Sequence, residues 1–167
     1  MHYPEILAQD TARLAALYRT ELLDTAPEKR FDSITRLAKQ YFNVAIATIT
    51  LIDAERQWFK SKDGISDSET DLSVSFCVHA IAEDDVMYVE DARKDPRFAN
   101  TQNVLSGPMV RFYAGAVVRS SDDQPLGTLC VFDPQPRVFT ESDFEMLKKF
   151  RDMVNTEILT SEGAKAE

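Results

Sequence analysis

The stretch NVAIATITLIDAERQWFKS constrains the fold more than any other part of this chain. From Ala45 to Ile52 it is rich in β-branched residues, and both alternating faces carry apolar side chains, which predicts a strand covered on both sides. The turn DAER then leads into a second stretch of strand character. Because two strands joined by so short a turn run antiparallel, the segment predicts a hairpin near the centre of an antiparallel sheet.

Further strands are predicted in VMYVEDA and in a hairpin of RFYAGAVVRS and PLGTLCVFD around the acidic turn SDDQ. Helical spacing of apolar residues predicts a first helix within residues 6–24 and a last helix in TESDFEMLKKFRDMVNTEIL, which begins with a capping-box-like Thr140 and Asp143. Between them, a second helix is predicted after Pro27 and a short helix in SVSFCVHAIAEDD, with Ser73 or Ser75 as its cap. The second helix would bury one stripe of Phe31, Ile34, Leu37, Ala38 and Tyr41. Helices flanking such a sheet predict an α+β sandwich.

Composition limits the partners and the location. The 167 residues suit a single domain, with a core over about 22–159, an N-terminal helix within 1–21 and a frayed polar tail at 160–167. A formal net charge of −9 repels phosphate backbones and anionic lipid, which disfavours nucleic acid and membrane partners. Two cysteines, no signal peptide and no apolar run long enough to span a bilayer indicate a cytoplasmic protein.

The stretch SFCVHAI places Cys77 two residues before His79. A structural zinc needs about four N or S ligands, and the chain has two cysteines and two histidines, so no metal site is predicted. Within a helix, positions i and i+2 point to opposite sides, so these two side chains cannot act as a nucleophile and its base. The pattern instead predicts a short helix that packs Phe76, Cys77, Ala80 and Ile81 inward, with either Cys77 or His79 lining a cavity.

Charged and aromatic residues elsewhere supply further candidates. Arg111 and Tyr113 would share a strand face, and Arg111 suits either a carboxylate or phosphate of a ligand or an ion pair with Asp91. The loop that contains Asp91 and Arg93 is predicted to order by pairing charges, with Phe98 as its apolar anchor.

Two pairs of strand residues are predicted to have mainly structural roles. Trp58 and Phe59 alternate in one strand, so one belongs to the core while the other is free to face a pocket or a partner. Gly115 and Gly127 are predicted to allow close packing or a bulge rather than to bind phosphate. No glycine-rich phosphate loop appears in the sequence.

Five blocks, in this order along the chain, resemble a bacterial signalling subgroup of GAF domains. They are RFDSITRLAKQYFNVAIATITLIDAERQWFKS, SFCVHAI, VEDARKDPRFANTQNV, RFYAGAVVRS and LGTLCVFDPQPRVFTESDFEMLKKF, spread over about Leu22 to Leu159. The resemblance implies a profilin- or PAS-like central antiparallel sheet of five to six strands. Terminal helices would cover one face, while short helices and loops on the other face would enclose a small-molecule pocket.

The resemblance implies a non-catalytic sensory domain that binds an unidentified small molecule and signals through its terminal helices, through a homodimer, or to a separate output protein. Bilin-binding members carry a cysteine directly before histidine, whereas Val78 intervenes here, and the cyclic-nucleotide signature is not evident, so no cofactor is expected. Two alternatives stay open: a GAF-fold reductase of free methionine sulfoxide that uses Cys77 or Cys130, and a domain used only for dimerisation. The ligand-pocket candidates are Phe76, Cys77, His79, Asp91, Arg93, Phe98, Arg111 and Tyr113.

Overall fold

A computed structural model describes residues 5–166 of the chain. The helices are α1 Glu5–Ala8, α2 Thr11–Arg19, α3 Lys29–Phe42, α4 Cys77–Ala80, α5 Gln102–Leu105 and α6 Glu141–Ala166, with short 3-10 turns at Leu72–Val74 and Ala92–Lys94. The strands are β1 Ile46–Ile52, β2 Arg56–Asp63, β3 Glu69–Asp71, β4 Val86–Val89, β5 Phe112–Arg119 and β6 Pro125–Asp133.

Within the described residues, six strands form one antiparallel sheet in the order β3-β2-β1-β6-β5-β4. All seven residues of β1 are buried, because β1 lies between β2 and β6 and both of its faces are covered. The predicted central hairpin and the α+β class are therefore confirmed. The edge strand β3 lies in the segment 62–72, which the sequence pattern predicts as a loop, and its pairing with Arg56, Gln57 and Trp58 of β2 orders that segment.

The sheet separates two apolar layers. On one face, α2, α3 and α6 pack over side chains such as Ile49, Leu51 and Leu129. On the other face, α4 and the loops around α5 pack over Tyr113 and Cys130. Successive strand side chains alternate between these layers, so one backbone carries both. Along residues 5–166, none of the helices combines the length and apolar character needed to cross a membrane.

The N-terminal segment is two helices rather than the single predicted one. The break lies at Gln9 and Asp10, and the Asp10 side chain caps α2 by accepting from the backbone N–H of Arg13 at 3.1 Å. Arg13 itself is fully buried and donates to the carbonyl oxygens of Leu7, Ala8, Ile52 and Pro125. It thereby fastens α1 and α2 to the ends of β1 and β6.

The buried face of α3 differs from the predicted stripe. Phe31, Ile34 and Ala38 are buried as expected, but Leu37 is 47% exposed and Tyr41 is 50% exposed. Thr35 and Phe42 are buried in their place, and the Thr35 hydroxyl lies 2.7 Å from the Ser61 hydroxyl of β2. Thr35 can be buried because its hydroxyl has a hydrogen-bond partner on β2. With Thr35 facing the sheet, Leu37 and Tyr41 are turned toward the surface.

The last helix begins as predicted. The Thr140 hydroxyl accepts from the Asp143 backbone N–H, and the Asp143 carboxylate accepts from the Thr140 N–H. The helix then continues to Ala166 and so includes the segment 160–166 that the sequence predicts as a frayed tail.

Candidate functional site

A cavity lies between the sheet and the layer formed by α4 and the loops. Its inner chamber has a volume of about 40 Å³ and adjoins an outer chamber of about 200 Å³. The two chambers share the lining residues Gln57, Phe59, Val74, Asn103, Val110 and Phe132. The inner chamber is also lined by Thr48, Thr50, Phe76, Cys77, Tyr113 and Cys130. The two chambers therefore adjoin each other, and the inner one reaches the two cysteines.

The inner end of the cavity holds a cluster of thiols and hydroxyls. The sulfur of Cys77 lies 3.8 Å from that of Cys130, and the hydroxyls of Tyr113 and Thr128 each donate to the Cys77 sulfur at 3.1 Å. The Thr48 hydroxyl lies 3.0 Å from the Cys130 sulfur. Both cysteines are buried and free. The two thiols thus share one small polar region inside an apolar layer.

Strand register brings this cluster together. Thr48 of β1 is opposite Cys130 of β6, and Thr50 is opposite Thr128. Because side chains two residues apart share a strand face, all four point into the cavity layer, where the hydroxyls of Thr48 and Thr50 lie 2.7 Å apart.

The surroundings of the two thiols give them different acidities. Burial raises the pKa of Cys77, but hydrogen bonds from Cys130, Thr128 and Tyr113 stabilise the thiolate and bring that pKa down to about 7. Burial also raises the pKa of Cys130 well above its ordinary value, and its hydrogen bond to Cys77 adds to the rise. Two hydroxyls donate to the Cys77 sulfur and one hydroxyl lies against the Cys130 sulfur, so a thiolate is better stabilised at Cys77 than at Cys130.

Gly115 makes room for the hydroxyl that contacts Cys77. A side-chain carbon at position 115 would lie 2.8 Å from the Tyr113 ring carbon that carries the hydroxyl. The Tyr113 ring therefore lies along β5 across Gly115, with its hydroxyl against the Cys77 sulfur. This close packing confirms the structural interpretation of Gly115.

Hydrogen bonds between side chains hold the walls of the cavity. The Ser75 hydroxyl donates to Gln57 at 2.7 Å and accepts from the Val78 backbone N–H at 3.0 Å, so Ser75 caps α4 and ties it to β2. The Asn103 amide donates to the carbonyl of Val74 at 2.8 Å, which joins α5 to the segment before α4.

Three of the sequence-predicted site residues line the cavity: Phe76, Cys77 and Tyr113. Phe98 lies behind them and anchors its loop as predicted, since its ring stacks on that of Phe76 with centroids 4.0 Å apart. His79 does not reach the cavity. Its ring packs edge-on against Phe98, and burial lowers its pKa.

The charged candidates lie outside the cavity. Asp91 forms a two-point ion pair with Arg93 through bonds of 2.7 and 2.9 Å, so the loop orders by pairing charges as expected. Arg111 does not pair with Asp91 and does not face the cavity beside Tyr113. The strand β5 begins only at Phe112, so the side chain of Arg111 does not follow the alternation of that strand. Its guanidinium donates to the carbonyl of Val104 at 2.7 Å.

Sequence reasoning missed the strand residues that complete the cavity. Cys130, which is not among the predicted ligand-pocket residues, faces Cys77, and Thr48, Thr50 and Thr128 surround the pair. The available signal was a polar or sulfur residue at every second position of two otherwise apolar strands, in ATIT and GTLC. Phe59, in contrast, faces the cavity while Trp58 lies in the helix-side core, as their alternation predicts.

The chain is similar to proteins of one family. A family model described as GAF domain matches residues 26–158. A protein named cyclic di-GMP phosphodiesterase, from Pseudomonas aeruginosa, is 37% identical over 159 residues, which are 95% of this chain. The chain spans 27% of the length of that relative.

Solved structures share the fold. The GAF domain of the Acinetobacter phosphoenolpyruvate-protein phosphotransferase superposes with a TM-score of 0.66 at 17% identity, covering 95% of this chain and 100% of that one. The free methionine-R-sulfoxide reductase of Neisseria meningitidis superposes with a TM-score of 0.65 at 14% identity, covering 99% of this chain and 98% of that one.

Proposed function

Because this chain belongs to the GAF domain family, we propose that it is a non-catalytic sensory module whose cavity binds a small uncharged molecule. Occupancy of the cavity would be passed to a partner through the terminal helices. The observation that carries the proposal is the pair of adjoining chambers between the sheet and the layer of α4 and the loops, whose walls are ordered by their own hydrogen bonds.

The chemistry of the walls favours an uncharged ligand. Among the described residues that line the two chambers, none is a lysine, arginine or histidine, and Asp67 is the one carboxylate. An anionic phosphate would lose its hydration without gaining a cationic partner. The aromatic rings of Phe59, Phe76 and Phe132 with a few hydroxyl and amide groups suit a small, mainly apolar molecule.

The sheet supplies a route from the cavity to the helices. Thr50 faces the cavity while its neighbours Ile49 and Leu51 pack under the helices. A shift of β1 would therefore move side chains in both layers. The last helix is also fastened to β5, since Arg151 donates to the carbonyl of Val117 at 2.9 Å. A ligand that binds one arrangement of the sheet more tightly would therefore shift the position of α6.

The relative suggests the setting of the signal. The matching protein is named a cyclic di-GMP phosphodiesterase, and this chain corresponds to 27% of it. We expect the module to regulate an output protein in cyclic di-GMP signalling. Its cavity would bind an uncharged ligand and not cyclic di-GMP itself, which is anionic.

Filling the cavity is expected to abolish ligand binding. Val110 lines both chambers, so Val110→Phe places a ring where the ligand would lie. Native mass spectrometry of protein purified from cells is expected to show a bound small molecule on the unmodified chain and none on the variant. The matched control is Val138→Phe, because Val138 is exposed and lies outside both chambers. Ligand retained by folded Val110→Phe would refute this binding site, and an unmodified chain without ligand would favour the dimerisation-only alternative.

The helix face opposite the sheet suits a second copy of the chain. Leu37 and Tyr41 lie one turn apart on α3, the Tyr41 ring contacts that of Phe150 on α6, and Met153 is 42% exposed one turn further along α6. Leu37, Tyr41 and Met153 form an exposed apolar strip over both helices, and Phe150 is buried beside it. Homodimer formation through this strip would cover apolar surface and place the signalling helices side by side.

A charge on the strip is expected to separate the dimer. Leu37→Asp would place a carboxylate in the interface, where its desolvation is unfavourable, and the molar mass measured by light scattering is expected to halve. Leu105→Asp is the control, since Leu105 is also an exposed leucine, at 66% against 47% for Leu37, but lies on α5 beside the cavity. A mass unchanged by Leu37→Asp, or lowered by Leu105→Asp, would rule out the strip as the interface.

The contact between Cys77 and Cys130 favours one second candidate, the reductase of free methionine sulfoxide. Two thiols 3.8 Å apart at the end of a cavity could reduce a sulfoxide and become a disulfide. A free amino acid, however, brings both an ammonium and a carboxylate, and the inner chamber offers neither a cation nor an anion to pair with them. Free methionine appearing when the reduced protein is mixed with methionine sulfoxide would establish the reductase, and its absence would remove it.

A further inference from the structure

The sensory function proposed above makes no use of the two thiols. Both sulfurs lie at the inner end of the cavity, and each is surrounded by hydroxyls rather than by apolar side chains alone. Two buried cysteines that only filled space would have no need of four neighbouring hydroxyl groups. The arrangement provides a nucleophilic sulfur, a second sulfur within reach, and fixed proton donors.

We propose that Cys77 is an oxidation site for small hydroperoxides and that Cys130 is its resolving thiol. In the first step the Cys77 thiolate attacks one oxygen of the peroxide. The S–O bond forms and the O–O bond breaks, so the sulfur is oxidised by two electrons to a sulfenic acid while the peroxide is reduced. The departing oxygen leaves as hydroxide or alkoxide and takes up a proton.

The hydroxyls next to Cys77 are placed to assist that step. Tyr113 and Thr128 each donate to the Cys77 sulfur, so their O–H groups stabilise the thiolate that attacks the peroxide. Burial raises the pKa of Tyr113 well above its ordinary value, and the neighbouring Cys77 charge adds to the rise. Tyr113 therefore keeps its proton and stays a donor.

In the second step Cys130 resolves the sulfenic acid. The Cys130 thiol loses its proton and its sulfur attacks the Cys77 sulfur; the S–S bond forms, the S–OH bond breaks, and the hydroxide takes the proton to leave as water. The sum is two thiols and one hydroperoxide giving one disulfide, one water and one water or alcohol. The sulfurs start 3.8 Å apart, and a disulfide is about 2.05 Å long, so α4 must move toward β6.

The inner chamber selects the oxidant by size. A volume of about 40 Å³ holds a few water molecules, since one water needs roughly 10–15 Å³. Hydrogen peroxide fits such a space, whereas a branched alkyl hydroperoxide does not. We therefore expect oxidation by tert-butyl hydroperoxide to be at least about tenfold slower than by hydrogen peroxide, because access to the thiolate controls the rate.

The test follows the thiols of the full chain after reduction and removal of the reductant. Hydrogen peroxide is expected to remove both free thiols and to lower the intact mass by two hydrogen atoms, and peptide mapping without reductant is expected to find Cys77 joined to Cys130 in the same chain. Thiols that survive excess peroxide, or a disulfide that joins two chains, would overturn the proposal. This experiment needs no variant and does not depend on whether a ligand binds the cavity.

Variants assign the two roles. Cys130→Ser is expected to stop at a sulfenic acid on Cys77 that dimedone traps, whereas Cys77→Ser is expected to leave Cys130 unreacted. Tyr113→Phe retains the ring and removes the hydroxyl, so the oxidation of Cys77 is expected to slow by about tenfold while circular dichroism stays unchanged. Trapping on Cys130 before Cys77, or an unchanged rate in folded Tyr113→Phe with the same peroxide, would contradict this assignment.

Discussion

Replacing Gly127 by alanine is expected to prevent stable folding. A side-chain carbon at position 127 would lie 1.8 Å from the backbone carbonyl oxygen of Thr50, and Gly127 pairs with Leu51 of β1 and with Val118 of β5. Neither neighbour can retreat, because both belong to the middle of the sheet. The clash is backbone against side chain, so we expect Gly127→Ala to lower the free energy of unfolding by about 4 kcal/mol or more, which places it among the most damaging single substitutions.

Urea denaturation followed by circular dichroism measures this effect, and Gly107 offers the matched control. A side-chain carbon at position 107 would meet no atom within 4 Å, so the same substitution there is expected to change the free energy of unfolding by less than about 0.5 kcal/mol. Equal urea midpoints for the two variants would show that β6 can move away from β1 and that the sheet is looser than this packing implies.

Replacing Arg13 by alanine is the second change with a large expected effect. The guanidinium is fully buried, and it donates to four carbonyl oxygens, at 2.6 Å to Ile52, 2.8 Å to Ala8, 3.2 Å to Leu7 and 3.3 Å to Pro125. Without it those oxygens lose their partner and a cavity remains. Leaving a buried polar group unpaired costs about 1–3 kcal/mol, so we expect Arg13→Ala to lower the free energy of unfolding by about 3 kcal/mol or more.

The loss is expected to appear first at the N-terminus. Limited proteolysis should cut within α1 much faster in Arg13→Ala than in the unmodified chain, because the bonds from α1 and α2 to β1 and β6 pass through this side chain. Arg19 of the same helix is the control. It forms an ion pair with Asp122 in which both side chains are more than half exposed, so Arg19→Ala is expected to change neither stability nor cleavage appreciably. Similar cleavage of both variants would show that Arg13 does not hold α1 in place.

Local signals along the sequence were sufficient for five of the six strands and for the start of the last helix, but not for β3. Alternation and β-branched residues mark β1, and the reciprocal bonds of Thr140 and Asp143 follow directly from their spacing. The exposed Leu37 and Tyr41 show the limit of such signals. Apolar spacing defines a stripe about one helix, but which side turns inward also depends on a distant partner, here the hydroxyl of Ser61 for Thr35.

The candidate site was predicted only in part, for the same kind of reason. Helical spacing correctly separated Cys77 from His79, which packs against Phe98 instead of entering the cavity. The partner of Cys77 is Cys130, 53 positions further along the chain. The residues next to either cysteine in the sequence do not predict this contact. Their contact depends on the register of β1, β6 and α4 together, which a single sequence does not display.

Several polar groups that line the cavity are hydrogen-bonded to one another. Ser75 bonds to Gln57, Gln57 bonds to Thr70, and the hydroxyls of Thr48 and Thr50 bond to each other. These hydrogen bonds form without a ligand. The chain is therefore expected to be stably folded in the absence of its ligand. Under the proposed sensory function, binding would then be reversible over a range of ligand concentrations, and the protein would report the amount of the ligand as well as its presence.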